Sequence, residues 1–139
     1  MLHKLTTANI ILYCQKWEQT VHFYKVQLQL RVLFSTDWFV EFQLNSASRV
    51  SIADERRCSI KGCGGSGVTL ALEVEDIKAV WQSMENAGLK PTVISMHPWG
   101  ARVFHLFDPE GHRIEIWQPI ESQKEQSKNK EKKLFFKDF

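Results

Sequence analysis

Phe104-His105-Leu106-Phe107-Asp108-Pro109-Glu110-Gly111-His112-Arg113-Ile114-Glu115-Ile116-Trp117 reads as two strands joined by a tight turn. Pro109 suits the second position of a type I turn and Gly111 the fourth. A turn from Asp108 to Gly111 sets Phe107 opposite His112 and Phe104 opposite Glu115. Side chains alternate along a strand, so Arg113, Glu115 and Trp117 share one face and Ile114 and Ile116 the other. The isoleucine face demands a core. The other face carries a carboxylate that must be solvated, paired or bound to something. On this register Arg102 and Phe104 lie on the Glu115 face, with Arg102 diagonal to the carboxylate, and His105 lies on the opposite face against the core. The plain outcome is a Glu–Arg ion pair that closes the hairpin. The functional outcome is a carboxylate with Arg102 and Arg113 facing a ligand, and Glu115 serving as a general base.

Upstream, Ala8 to Cys14 is an apolar, strand-like run, and Trp17, Val21, Tyr24 and Leu28 recur at helical spacing, which predicts a helix over Trp17 to Gln27. Leu30 to Thr36, Trp38 to Leu44 and Arg49 to Asp54 are predicted strands. Cys58 to Gly67, with four glycines among its last six residues, reads as a linker. The order then repeats. Val68 to Val74 is a strand, Asp76 an N-cap, and Ile77, Val80, Trp81 and Met84 a helical stripe ending near Gly88. Pro91 to Ser95, Arg102 to Phe107 and His112 to Gln118 complete the second half. Each half is therefore strand-helix-strand-strand-strand, an internal repeat of pattern. Trp17 and Trp81 lie on helix stripes and read as core.

The chain has 139 residues, enough for one domain or two small repeats sharing a core. Residues 1–120 carry 12 Lys+Arg and 12 Asp+Glu, and residues 121–139 carry 6 and 4, so the net +2 lies in the tail. A neutral folded part gives no electrostatic case for nucleic acid. No segment is apolar enough to span a bilayer, and the N-terminus has no apolar signal region, so the expectation is a cytoplasmic protein without membrane contact. Cys14, Cys58 and Cys63 are odd in number and are expected as reduced thiols; Cys58 and Cys63 lack zinc-ribbon spacing. Residues 121–139 have no apolar periodicity and are expected to be disordered. They end in Leu134-Phe-Phe-Lys-Asp-Phe139, read as a frayed end rather than a docking segment.

The closing hairpin also resembles that of the vicinal oxygen chelate superfamily: glyoxalase I, the bleomycin-resistance proteins, the fosfomycin-resistance enzymes and the extradiol dioxygenases. There an Asp-Pro-(Asp/Glu)-Gly turn precedes a strand glutamate that is a metal ligand in the enzymes, and Glu115 stands at that place. The resemblance extends more loosely over residues 8 to 119. It implies an α+β fold of two βαβββ modules (8–54 and 68–119, linker 55–67) whose sheets curl as a half-barrel around a concave cavity. It also implies where metal ligands would lie. The first, a His fourteen residues before the Phe of a Phe-Tyr pair, falls on Asn9, since Phe23-Tyr24 is that pair. The second falls on Ser51 and the third on Thr69. One ligand of four is thus kept, and neutral side-chain oxygens are weak ligands for a divalent transition metal. The expectation is no cofactor. If a divalent metal binds, Glu115 is a ligand and His97, in the loop before Arg102, is the added candidate.

Three functions fit these residues. The first is a metal-free relative of the bleomycin-resistance branch that binds a small, partly aromatic ligand in the sheet cavity. Its walls would be Asn9, Tyr13, Trp38, Ser51, Thr69, Trp99, Arg102, Phe104, Arg113, Glu115 and Trp117. Charge balance disfavours a strongly cationic drug and favours a neutral or mixed-charge planar molecule. The second is a lyase, transferase or dioxygenase with an atypical metal site and Glu115 as its catalytic residue. The third is an interaction protein acting through a dimer surface and the tail. The resemblance further implies a homodimer, with modules paired within or between chains.

Overall fold

The computed structural model describes residues 1–98 and 100–120. The expectations for Trp99 and for residues 121–139, including the terminal aromatic segment, lie outside the described residues.

The chain forms two compact units. The first comprises Met1–Val68 together with Phe107–His112. In it β1 (Ala8–Cys14) leads into α1 (Trp17–His22), and the helix continues as a π turn over Phe23–Gln27. Then come β2 (Val32–Ser35), β3 (Phe39–Asn45) and β4 (Ser48–Asp54). The sheet order is β1-β4-β3-β2, with β1 parallel to β4 and the other pairs antiparallel. Leu12, Cys14, Val40, Phe42, Val50 and Ile52 form a buried face. The helix covers it with Phe23 and Tyr24, and the Tyr24 ring lies 6.0 Å from that of Phe42.

The segment 107–112 joins this unit through a polar knot. Asp108 Oδ2 accepts hydrogen bonds from Tyr24 Oη (2.8 Å) and His112 Nδ1 (2.8 Å). Its Oδ1 accepts from the backbone N–H groups of Glu110, Gly111 and His112. Glu110, also buried, accepts from the N–H groups of Gln15 and Lys16 just ahead of α1. Burying these carboxylates is tolerable because each is so fully hydrogen-bonded.

The segment 55–67 opens with a 3-10 turn over Glu55–Arg57, and in its glycine-rich part Gly65 is buried. A Cβ on Gly62 would stand 2.1 Å from the Tyr13 carbonyl oxygen, and one on Gly65 would stand 2.2 Å from the Gly111 carbonyl carbon. Close backbone approach is the reason for glycine at both positions.

The second unit comprises, among the described residues, Thr69–Leu106 and 113–120. It holds β5 (Thr69–Glu73), α2 (Ile77–Asn86), β6 (Ser95–His97), β7 (Ala101–Phe107) and β8 (Arg113–Pro119) in the order β5-β8-β7-β6. Asp76 caps α2 as expected, accepting from Ala79 N–H at 3.1 Å. Leu70, Ile77, Phe104, Leu106, Ile114 and Ile116 are among its buried apolar residues. The strand expected over Pro91 to Ser95 instead begins at Ser95 and runs to His97. Thr92 ties the segment before it down: its N–H donates to the His105 carbonyl, and its own carbonyl accepts from Trp81 Nε1. Both units are βαβββ and both sheets are mixed and open, an α+β class as expected. No described helix is long and apolar enough to cross a membrane.

Candidate functional site

The hairpin between β7 and β8 differs from the expected one by a single residue. The Gly111 N–H donates to the Asp108 carbonyl (3.0 Å), which is the expected turn. The next ladder bond, however, runs from Asp108 N–H to the His112 carbonyl (3.0 Å), and Gly111 has φ +106°. This is a three-residue loop: a type I turn closed by a left-handed glycine in a bulge. A one-residue slip moves every side chain of β7 to the other face. His105, not Phe104, therefore faces Glu115, and His105 Nε2 hydrogen-bonds Glu115 Oε1 at 3.0 Å.

Three expectations change with it. Phe104 is fully buried on the core face with Ile114 and Ile116, and Arg102, two residues away, lies on that same face, so neither shares the Glu115 face. The expected Glu–Arg pair does not form; Arg113 Nε donates instead to Thr69 Oγ1 at 3.0 Å. Trp117 does share the Glu115 face, but it packs in a buried cluster with Ala101 and Val103 rather than standing as an open wall. Glu115 itself is 2% exposed, and its Oε2 has no hydrogen-bond partner among the described residues.

In the first unit the face turned away from α1 carries Asn9, Ile11 and Tyr13 on β1, Arg49, Ser51 and Ala53 on β4, and Phe39, Glu41 and Gln43 on β3. Ser51 Oγ donates to Asn9 Oδ1 at 2.9 Å, and Arg49 NH1 pairs with Glu41 Oε2 at 2.7 Å. At one end of this face lies a pocket of about 260 Å³. Ile11, Tyr13, Phe39 and Ala53 come from the sheet, Trp38 from the bend just before β3, and Arg57, Cys58, Ser59 and Ile60 from the segment after β4. Trp38 packs edge-on against Phe39, with ring centroids 5.6 Å apart. The sequence pointed to Tyr13 and Trp38 as ligand walls. It missed Arg57 to Ile60, whose only signal was their place directly after a strand end.

A matching family model, the glyoxalase-like domain, spans residues 7–121. The chain belongs to this family. Its fold is that of the vicinal oxygen chelate superfamily. Among solved structures it is similar to a glyoxalase/bleomycin resistance protein/dioxygenase from Nocardioides (TM-score 0.72, 18% identity, 87% of each chain covered). It is also similar to TnmS3, an antibiotic-binding protein from Streptomyces sp. CB03234 (0.70, 18%, 86% of this chain and 99% of the other). A third neighbour is lactoylglutathione lyase from Agrobacterium tumefaciens (0.67, 15%, 80% and 91%). At these identities the likeness shows the fold alone. No curated protein sequence matches the chain.

The superfamily resemblance implies a divalent metal in the enzymes, and the donors among the described residues do not fit one. Asn9 and Ser51 satisfy each other, Thr69 is held by Arg113, and Glu115 has the single nitrogen donor His105. No group of three or more His, Cys, Asp or Glu side chains suited to a metal occurs among the described residues, so His97 adds no third ligand to the Glu115 pair. A tight transition-metal site needs about three such ligands with open positions for substrate.

Proposed function

We propose that this glyoxalase-like protein binds a small, partly aromatic ligand, without a resident transition metal, and acts as a homodimer. One observation carries the reading: the aromatic and aliphatic pocket of Ile11, Tyr13, Trp38, Phe39 and Ile60 at the end of the first sheet. Apolar walls with a few polar groups are the usual make-up of a small-molecule site. The volume lies just under the ~300–1,000 Å³ of drug-sized sites, which suits a one- or two-ring molecule, or the ring portion of a larger one. The kinship in fold with an antibiotic-binding protein is consistent with small-molecule binding. The test is a tryptophan-fluorescence screen of planar aromatic compounds against the protein and its Trp38→Leu variant. Saturable quenching lost in the variant supports the reading. No saturable response in the unaltered protein overturns it. Light scattering at micromolar concentration tests the dimer, which a monomeric mass would refute.

One observation favours a second reading, an enzyme. Glu115 is buried with an unpartnered oxygen beside His105, and a desolvated carboxylate next to an imidazole has the parts for proton transfer. Turnover abolished by Glu115→Gln with the fold retained would establish it.

A further inference from the structure

The charged lining of the pocket narrows the ligand class, an inference that rests on the binding reading above. Arg57 is the one formally charged residue among the nine that line it. Among the described residues no carboxylate lines the pocket. The nearest acids around Arg57 are engaged elsewhere or turned outward. Asp54 accepts from the Arg56 backbone N–H and from its guanidinium, the shortest bonds being Nε to Oδ1 (2.9 Å) and NH2 to Oδ2 (2.7 Å). Glu55 Oε1 accepts from Gly62 N–H. Asp37 meets Arg57 NH1 only at 3.4 Å, with side chains 78% and 55% exposed. An exposed pair of that length holds Arg57 weakly. The remaining N–H groups of its guanidinium have no partner among the described residues. A planar guanidinium presents parallel donors matched to a carboxylate or a phosphate. The Trp38 and Phe39 rings beside it supply the surface for a flat apolar body.

We infer that the pocket selects planar aromatic anions: the ring lies among Tyr13, Trp38 and Phe39, and the acid group meets Arg57 at the rim. Ser59 also lines the pocket, and its side chain carries a hydroxyl that can serve the anion as a further donor. The choice agrees with the folded part of the chain, whose balanced charge does not attract cationic drugs.

The test compares 2-naphthoate with its neutral counterpart 2-naphthamide by fluorescence titration, on the unaltered protein and on Arg57→Gln. Arg57 lies on the surface, so the fold of that variant is safe, and circular dichroism verifies it. The expected result is about fivefold tighter binding of the acid than of the amide. The preference should vanish in Arg57→Gln and shrink at high salt, with amide binding unchanged. Equal binding of the two probes, or an acid preference that survives in Arg57→Gln, overturns the anion selectivity and leaves the aromatic pocket standing. Binding of neither probe overturns both.

Discussion

His105 Nε2 stands 3.0 Å from Glu115 Oε1 because the turn between their strands contains three residues rather than two. Gly111, at φ +106°, makes that turn possible. The pair should be worth more than its exposure suggests, since Glu115 is buried and its other oxygen already lacks a partner. Removing the imidazole in His105→Ala leaves the carboxylate with no partner at all, at a cost of about 1–3 kcal/mol. Replacing both residues by leucine should cost less than the two single replacements summed. Urea denaturation of the four proteins measures the cycle; strict additivity would mean the pair is not coupled.

Glycines in the stretch after Lys61 should differ sharply in their tolerance of a methyl group. Gly67 has φ +78° and nothing within 4 Å of a built Cβ, so Gly67→Ala carries only the backbone penalty of about 1–2 kcal/mol. Gly65 has φ +84° and the Gly111 backbone 2.2 Å away, so Gly65→Ala must displace the turn. Its loss should exceed that of Gly67→Ala by several-fold in thermal melting. Equal losses would contradict the close approach.

Thiol reactivity should follow burial. Cys14 is fully buried, and desolvation, aided by the Glu110 and Asp108 carboxylates, pushes its thiol up to about 12. A thiol so protonated is unreactive at pH 8. A chromogenic disulfide reagent should therefore modify Cys63, which is exposed, first, Cys58 more slowly and Cys14 only on unfolding. Three equivalent thiols in the native protein would refute this.

Asp54 should contribute to acid stability. The hydrogen bonds from Arg56 hold its carboxyl below the usual carboxylate range. A depressed folded value stabilises the protein above the unfolded value, ~3.9, and that stabilisation is lost as pH falls through the folded value. The stability curves of the native protein and of Asp54→Asn should therefore lie apart at neutral pH and converge as pH falls below about 4. Parallel curves across that range would show that the shift is absent.

Much of the fold was legible because its signals are local. The apolar run Ala8–Cys14 is β1 to the residue, and Asp76 caps α2 as its side chain and position foretold. The face of Arg113, Glu115 and Trp117 followed from strand alternation alone. The partners of that face did not, because register depends on the turn. Pro109 and Gly111 are equally consistent with two-residue and three-residue loops, and only the ladder bond from Asp108 to His112 separates them. That one-residue ambiguity hid His105 and misplaced Arg102 and Phe104. The pocket was half legible: Tyr13 and Trp38 stood out as aromatics near strand ends, whereas Arg57 to Ile60 belong to a segment with no periodicity to read. The packing of Gly65 on Gly111 joins positions far apart in the chain and leaves no local trace beyond the glycines themselves.

The most direct test of metal-independent ligand binding is the metal content of protein purified without a histidine tag, followed by calorimetric titration with zinc, nickel, manganese and iron(II). Only trace metal and no tight stoichiometric binding are expected, with the aromatic ligand response unaffected by a chelator. One tightly held equivalent per chain, lost in Glu115→Gln, would contradict this expectation and make Glu115 a metal ligand.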